Sequence, residues 1–179
     1  MKTNMPPQSK GRPDDFQTPP IALVPLLPYL ESHRIIWECA AGKGNLAESL
    51  AKTGHSVIAT DLYVGPSAGR MNFLTEEPQF PFDAVVTNPP FSDKDAFIAR
   101  CYSFGRPFAL LMPVTAIGGQ RRQKLYREHG LQILMLGKRV NFETPSGIGG
   151  GAWQEHAWFT WGLNLPSDLL FSTLQGETK

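Results

Sequence analysis

The chain has 179 residues and a nearly balanced charge, with 17 Lys and Arg against 16 Asp and Glu. This length fits one domain with a buried core, and 41% hydrophobic residues with only 18% charged residues exclude a disordered chain. The net charge of +1 excludes a uniformly basic nucleic-acid-binding protein, although it allows a local basic patch.

The sequence contains no signal for a membrane, an export pathway or a metal. No apolar run approaches the ~20 residues that span a bilayer, and residues 1–16 contain no apolar segment typical of a secretory signal. The two cysteines, Cys39 and Cys101, and four histidines are too few for a disulfide framework, and their spacing suits no zinc site. We therefore expect a cytoplasmic protein without a metal ion.

In chain order, residues 1–15 are expected to form a flexible tail, and a helix should begin at Thr18, whose hydroxyl would cap it before Pro19 and Pro20. Strands are predicted at residues 34–39, 56–61, 82–87, 108–112, 131–136, 139–142 and 156–161, and helices at 45–53, 94–104 and 120–129. This alternation predicts one α/β domain over residues 16–165 with a mostly parallel, doubly wound sheet. The last strands follow one another without a helix, so one of them should be antiparallel. Residues 166–179 are expected to be a C-terminal tail.

A glycine-rich turn follows the first predicted strand and matches G-x-G-x-x-A from Gly42 to Ala47. At such a corner, backbone N–H groups point outward and glycine allows a nucleotide to approach. Asp61 ends the next strand about 20 residues later, where a carboxylate can bind ribose hydroxyls. Lys43 is followed by Gly44 rather than Ser or Thr, which excludes a phosphate-binding P-loop. A turn that merely connects strand to helix remains an alternative.

Glu38 ends the strand that leads into this turn. Nicotinamide-dependent enzymes usually have an apolar residue there, and too few residues follow Asp61 to build a separate substrate domain. Glu38 and Asp61 together suit a ligand that carries both an ammonium group and a ribose, as S-adenosylmethionine does. An exposed acid at the end of a strand is the structural alternative for Glu38.

The tetrapeptide Asn88-Pro89-Pro90-Phe91 follows another apolar strand, at the carboxyl edge where open α/β sheets bind ligands. Its two prolines make the turn rigid and remove two backbone donors. Asn88 Oδ1 and the Pro89 carbonyl oxygen can each accept one hydrogen of an amine, while Phe91 can stack on the ring that carries this amine. The motif therefore predicts a site that orients a planar –NH₂ group toward a methyl donor. An ordinary proline turn would explain neither the asparagine nor its place at the end of a strand.

Together these motifs resemble class I S-adenosylmethionine-dependent methyltransferases of the adenine-N6 type, in particular the small phage-type DNA adenine methyltransferases. Residues 16–19 resemble the F-x-T-P segment that closes over the methionine end of the cofactor, and residues 37–44 resemble the W-E-P-A-C-G-x-G loop. Residues 60–62 match the ribose-binding strand end, residues 88–91 the catalytic tetrapeptide, and residues 156–161 the closing strand. The resemblance covers roughly residues 16–163.

The resemblance implies a Rossmann-like methyltransferase domain that uses S-adenosylmethionine to methylate N6 of adenine in DNA. It implies catalytic roles for Asn88, Pro89, Pro90 and Phe91. It also implies cofactor contacts for Thr18, Pro19, Glu38, Ala40, Gly42, Gly44, Asp61, Leu62, Asn72 and Phe73. Asn72 stands where the family often has an aspartate that binds the adenine amine of the cofactor, and an asparagine can accept the same bond. Cys39 and Ala41 replace the usual proline and cysteine of the loop.

Two further segments are candidates for substrate contact. The predicted helix at residues 120–129 is basic, with Arg121 and Arg122 as candidate phosphate contacts, and Trp153 lies in the glycine-rich segment 144–153. A solvated helix face and a plain hairpin loop are the alternatives. No separate target-recognition domain is present, which predicts loose sequence specificity or a partner subunit, and a duplex substrate would require base flipping.

Other functions remain open from the sequence. An RNA adenine or guanine, or a protein glutamine, would also present a planar amine to this site. A non-catalytic subunit or sensor that binds S-adenosylmethionine belongs to another class, and the intact tetrapeptide at residues 88–91 argues against it. A nicotinamide-dependent enzyme is the weakest alternative.

Overall fold

Short apolar runs form most strands of one large sheet in the computed structural model, which describes residues 16–63, 67–137, 139–144, 147–148 and 154–172. The strands are β1 (Ile35–Glu38), β2 (Ser56–Asp61), β3 (Gly69–Arg70), β4 (Ala84–Thr87), β5 (Phe108–Pro113), β6 (Gln132–Met135), β7 (Glu143–Thr144), β8 (Gly147–Ile148), β9 (His156–Trp161) and β10 (Leu169–Phe171). The helices are α1 (Asn45–Lys52), α2 (Lys94–Ser103) and α3 (Gln120–His129), with 3-10 turns at Pro20–Ala22, Val24–Tyr29 and Val114–Ile117.

The main sheet has eight strands in the order β10-β6-β9-β5-β4-β1-β2-β3. Strand β9 runs antiparallel to both of its neighbours, β5 and β6, and the other pairs in this sheet are parallel. The register places Ile36 beside Ala84, so that β1 and β4 end at the same edge. This topology confirms the predicted α/β domain with a mostly parallel, doubly wound sheet and one antiparallel strand near its C-terminal end.

The central strands of the sheet are buried on both faces. Neighbouring residues of a strand point to opposite sides, and in these strands both sets are buried. One face carries Ile36, Val86, Leu111 and Trp158 and is covered by α1 and the first two 3-10 turns. The other carries Trp37, Val85, Leu110 and Phe159 and is covered by α2 and α3. Two cores on opposite faces leave the carboxyl edge of the parallel strands as the place where polar side chains gather.

The structure differs from the predicted elements near the C-terminal end of the chain. Residues 139–142 form no strand, although Val140 and Phe142 are buried, so their apolar alternation reflects core packing without strand pairing. Strands β7 and β8 pair instead as a short hairpin within the glycine-rich segment. Strand β10, in the segment expected to be a tail, pairs in parallel with β6. The Thr18 cap is also corrected: the first 3-10 turn begins after Pro19 without a side-chain cap.

Within the described part of the chain, no helix is both long and apolar enough to cross a bilayer.

Candidate active site

Polar side chains gather at the edge where the parallel strands end. Glu38 ends β1, Asp61 ends β2, and Asn88 directly follows β4. These strands are neighbours in the order β4-β1-β2, so their terminal side chains lie along one edge. His156 begins the antiparallel strand β9 and pairs with Pro113 at the end of β5, which puts it at the same edge. The fold thus brings the predicted residues Glu38, Asp61 and Asn88 together and adds His156 to them.

Glu38 is a buried acid and not an exposed strand end. Its side chain is 1% exposed, and Oε1 accepts hydrogen bonds from Ala40 N at 3.0 Å and from the Thr87 hydroxyl. Burial raises the pKa of Glu38 to about 8; the two hydrogen bonds lower this pKa, and the charge of Asp61 raises it further. At neutral pH the carboxyl group is therefore mostly protonated, and a cation bound beside it would favour the ionised form.

The backbone donors of residues 40–44, at the start of the glycine turn, are all used within the protein. The N–H groups of five successive residues donate to Glu38 Oε1 (from Ala40), Thr60 O (from Ala41), Asp61 Oδ2 (from Gly42), Gln17 Oε1 (from Lys43) and Ala41 O (from Gly44), at 2.8–3.1 Å. This corrects the expectation that these groups point outward toward a ligand. A pyrophosphate-binding turn needs free N–H groups, and residues 40–44 offer none.

The two glycines of the turn allow close approach by the protein itself and not by a ligand. Gly42 has φ +55°, and a Cβ atom there would lie 2.7 Å from Gln17 Nε2. Gly44 has φ +93°, and a Cβ atom there would lie 2.8 Å from Ser67 Cβ. A side chain at either position would be strained and would collide with a neighbour. The amino-terminal segment and the segment after β2 therefore pack directly against the turn.

Asp61 retains capacity for a ligand although it supports the turn. Oδ2 accepts the bond from Gly42 N at 2.9 Å and Oδ1 accepts a bond from Tyr63 N at 2.9 Å. A carboxylate has about four acceptor positions, so each oxygen can accept one more hydrogen. Leu62 lies beside it and is 47% exposed. An available carboxylate next to an exposed apolar side chain suits a ribose with an attached base.

The other predicted cofactor residues have mixed environments. Asn72 Oδ1 accepts a bond from Leu74 N at 3.0 Å, so this amide caps a turn while one acceptor position remains. Phe73 is 3% exposed and stacks on Phe97 with ring centroids 4.7 Å apart, so its side chain belongs to the core. A cofactor contact by Phe73 would have to come from its backbone. Thr18 is buried and Pro19 is half-buried.

Asn88 presents a buried hydrogen-bond acceptor that no described residue satisfies. Its Nδ2 donates to the Phe16 carbonyl oxygen at 3.3 Å, and since a carbonyl can only accept, this bond determines which end of the amide is which. Oδ1 is buried and has no partner among the described residues. Leaving such a group unpaired costs about 1–3 kcal/mol, and functional sites are where such groups are expected.

The tetrapeptide is supported by its surroundings, and Phe91 lies in a small aromatic cluster. Lys94 Nζ donates to the Phe91 carbonyl oxygen at 2.8 Å. The Phe91 ring lies 5.9 Å from Phe16, nearly parallel to it, and 5.6 Å from His156. Two rings that sandwich a base must be about 7 Å apart, because each stacked layer takes ~3.5 Å. A base that stacks between Phe91 and Phe16 would therefore displace Phe16.

The two arginines proposed as substrate contacts differ in their environment. The Arg122 guanidinium pairs with Asp95 and donates to the carbonyl oxygens of Ala116 and Gly118 at 2.8 and 2.7 Å. Its side chain is 13% exposed. Arg122 thus connects α3 to α2 and to the preceding turn, which corrects its assignment as a phosphate contact. Arg121 is exposed, and Trp153 lies outside the described residues.

The cysteines offer no reactive thiol. Cys39 and Cys101 are both buried and unpaired, and burial raises the pKa of each thiol well above its ordinary value. In the part of the chain that the structure describes, no group of three or more His, Cys, Asp or Glu could hold a metal ion.

Sequence reasoning missed three residues of this edge: Gln17, Thr87 and His156. Each had a local signal. Thr87 is the polar last residue of an otherwise apolar strand, and His156 is the polar first residue of another. Gln17 lies within the recognised amino-terminal segment, but only its bond to Lys43 N shows that it contacts the glycine turn.

Comparison with known proteins identifies the fold. No protein-family model and no curated protein sequence match the chain. A candidate class I S-adenosylmethionine-dependent methyltransferase from Listeria monocytogenes superposes with a TM-score of 0.61 at 15% identity, over 89% of this chain and 67% of that one. An S-adenosylmethionine-dependent methyltransferase from Archaeoglobus fulgidus gives 0.51 at 13% identity, over 79% and 91%. A candidate RNA methyltransferase from Pyrococcus horikoshii gives 0.54 at 14% identity, over 79% of each chain. The chain therefore has the fold of the class I S-adenosylmethionine-dependent methyltransferases.

Proposed function

We propose that the chain is an S-adenosylmethionine-dependent methyltransferase that methylates an exocyclic amine, with N6 of adenine in DNA as the acceptor. The observation that carries this proposal is the buried, unpartnered Oδ1 of Asn88 at the carboxyl edge of the sheet. An incoming amine would donate the hydrogen that this oxygen lacks. The neighbouring Thr87 hydroxyl contacts Glu38, so the proposed acceptor site adjoins the proposed cofactor site.

The cofactor assignment is supported by the charges and donors of the edge. S-adenosylmethionine carries an ammonium group, a ribose and an adenine but no phosphate, and it supplies the methyl group of the reaction. Glu38 would contact the ammonium group, which favours the ionised carboxylate despite its burial. Asp61 would accept hydrogen bonds from the ribose hydroxyls. Residues 40–44 donate their N–H groups within the protein, and a ligand without phosphate does not need them.

The residues of the tetrapeptide would orient the amine for in-line transfer. Asn88 Oδ1 accepts one amine hydrogen and the Pro89 carbonyl oxygen accepts the other, which directs the nitrogen lone pair toward the methyl group. The nitrogen–carbon bond forms while the methyl–sulfur bond breaks, and the sulfur keeps that electron pair. No base is needed before attack, because the amine becomes acidic only as the methyl group arrives. Preorganised acceptors of this kind commonly contribute ~10²–10³ in rate.

The choice of adenine in DNA is supported by the tetrapeptide and by the surface near it. Phe91 offers an aromatic ring beside the amine-binding asparagine, as a purine would require. Arg121, Lys124 and Arg127 are exposed on α3, where they can contact phosphates. The exposed side chains of α3 are the candidates for contacts beside the adenine, so we expect a context of one to three bases around it. Single-stranded DNA should react at least as fast as duplex, because no base pair has to be opened.

The test is incubation with labelled S-adenosylmethionine and separate pools of DNA, RNA and protein, followed by mass spectrometry of the nucleosides. We expect N6-methyladenine in DNA. Asn88→Ala should lower transfer by ~10² or more while the affinity for S-adenosylhomocysteine stays within a few-fold. Gln79→Ala removes an exposed amide that donates to the Glu77 carbonyl oxygen at 3.3 Å; this variant is the control and should be as active as the parent.

Each other outcome has a distinct meaning. Label in RNA or in protein glutamine would change the acceptor class. Binding of S-adenosylhomocysteine with transfer to no pool would favour a non-catalytic subunit. Equal losses of cofactor affinity and of rate in Asn88→Ala would make Asn88 a cofactor or structural residue. Tighter binding of NAD than of S-adenosylhomocysteine would end the methyltransferase proposal.

A further inference from the structure

The described residues contain two buried side-chain atoms without a hydrogen-bond partner, Asn88 Oδ1 and His156 Nε2. Both belong to the carboxyl edge of the sheet: Asn88 is the first residue of the tetrapeptide, and His156 packs against its last residue, Phe91. The His156 ring lies 5.6 Å from the Phe91 ring, and Phe91 follows Asn88 by three residues in the chain. The proposed function uses only the first of these atoms. The proposed function does not account for His156 Nε2.

We propose that His156 is the proton acceptor of this site: its Nε2 shares the second amine hydrogen with the Pro89 carbonyl oxygen and takes this hydrogen as a proton when the amine is methylated. This inference rests on the proposed function, because it needs an amine bound at Asn88.

The tautomer of His156 follows from its surroundings. Nδ1 lies 2.9 Å from the carbonyl oxygen of Gln154, which can only accept, so Nδ1 carries the hydrogen. In the neutral ring Nε2 is then a pure acceptor, and it faces neither solvent nor a described donor. The side chain is 5% exposed and is packed against Phe91 and Phe142. The imidazole is thus held against the Phe91 ring, with its basic nitrogen buried and without a partner among the described residues.

Burial keeps His156 neutral before the reaction, and the charges around it are too weak to reverse this. Burial lowers the pKa of the imidazole, against smaller opposing effects of the Gln154 carbonyl and of the neighbouring Glu155. Glu155 is itself paired with Arg139 at 2.8 Å, which compensates most of its charge. The rings that contact His156 on its other sides, Phe91 and Phe142, carry no charge. At neutral pH the ring is therefore available as a base and is not already protonated.

The proton balance of the reaction gives this base a task. As the amine nitrogen forms its bond to the methyl carbon, it becomes positively charged and one of its hydrogens becomes acidic, so a positioned base can begin to take this proton in the transition state. A ring-attached ammonium is a strong acid, so even an imidazole with a lowered pKa accepts its proton readily. Nε2 takes the proton, the nitrogen lone pair returns to the ring of the base, and the imidazolium later releases the proton to solvent. Positioned proton transfer of this kind contributes ~10²–10⁴ in rate.

Two substitutions separate the roles of His156 as base and as hydrogen-bond acceptor. Gln at position 156 can still accept a hydrogen bond but cannot hold a proton, whereas Phe keeps the ring volume and does neither. In single-turnover transfer to a single-stranded oligodeoxynucleotide with one adenine, we expect His156→Gln to be ~10²-fold slower or more, with oligonucleotide affinity within a few-fold. His156→Phe should lose affinity as well. His33→Gln, in the turn before β1, is the control and should match the parent.

A second measurement uses the unaltered protein and does not need turnover. The ¹⁵N spectrum of its histidine side chains is recorded with S-adenosylhomocysteine, before and after addition of the same oligonucleotide. The Nε2 signal of His156, assigned as the one that remains in each of His33→Gln, His55→Gln and His129→Gln, should move as it accepts a hydrogen bond. An unmoved signal at saturating oligonucleotide overturns the inference, even if the variants fail to fold. A His156→Gln protein that is as fast as the parent, while Asn88→Ala is inactive, overturns it while the proposed function stands.

Discussion

Replacing Glu38 with glutamine should stabilise the ligand-free protein, and increasingly so as the pH rises. The pKa of this carboxyl group is raised from 4.5 to about 8 by burial. Between these values the folded state holds a proton that the unfolded state has lost, so the free energy of unfolding falls as the pH rises. The stabilising contribution of the protonated group is complete below pH 4.5 and is lost as the pH rises through about 8.

The magnitude follows from the interval between the two pKa values. At ~1.4 kcal/mol per pH unit, the raised pKa of Glu38 lowers the free energy of unfolding, relative to its value at low pH, by roughly 5 kcal/mol above pH 8 and by less than about 1 kcal/mol at pH 5. Glutamine cannot ionise, and its Oε1 can accept the same bonds from Ala40 N and the Thr87 hydroxyl. The gain in stability of Glu38→Gln should therefore grow from about 1 kcal/mol at pH 5 to roughly 5 kcal/mol at pH 8.5.

Urea-induced unfolding at pH 5, 7 and 8.5, followed by tryptophan fluorescence, measures this difference. Glu48→Gln is the matched control, because Glu48 is exposed on α1 and contacts only the exposed Lys52. The control should leave the pH dependence of stability unchanged over this range. Parallel pH curves for the parent and Glu38→Gln would refute the reasoning, as would a variant that is less stable at pH 8.5. The same variant should lose affinity for S-adenosylhomocysteine, since its ammonium group would face a neutral amide.

Three more expectations concern other parts of the edge. Asp61→Ala should weaken S-adenosylhomocysteine binding about ten-fold or more, since bonds to an anionic acceptor contribute ~1.5–3 kcal/mol; an unchanged dissociation constant in calorimetry would place the ribose elsewhere. Phe91→Trp should keep part of the transfer activity and Phe91→Ala should lose most of it, whereas equal activities would show that stacking does not hold the base. Arg122→Ala should lower the free energy of unfolding by roughly 1–3 kcal/mol. Arg121→Ala should leave this free energy within about 0.5 kcal/mol and reduce the salt dependence of DNA binding. The reverse pattern would restore Arg122 as the phosphate contact.

Strand positions and the carboxyl edge were predictable because they depend on local patterns. The apolar runs that become β4 and β5 are fully buried and β1 is buried except at Ile35, and helix α3 begins and ends where its sequence pattern predicts. Since parallel strands end at one edge, the meeting of Glu38, Asp61 and Asn88 followed from the order of the elements alone.

The chemical state of the edge was not predictable, because it depends on contacts between distant parts of the chain. Burial of Glu38 depends on Thr87, 49 residues later, and the use of Lys43 N depends on Gln17, 26 residues earlier. Arg122 resembled any exposed arginine of a basic helix until its pairing with Asp95 was visible. Such partners have no periodicity, so a pattern in the sequence cannot indicate them.

The amino-terminal segment connects the proposed cofactor site with the proposed acceptor site. Two adjacent residues contact both halves of the edge: Gln17 accepts from Lys43 N in the glycine turn, and the Phe16 carbonyl accepts from Asn88. An acceptor base that displaces the Phe16 ring must also disturb the support of the glycine turn. Binding on the two sides should therefore be cooperative, and each ligand should change the affinity of the other by the same factor.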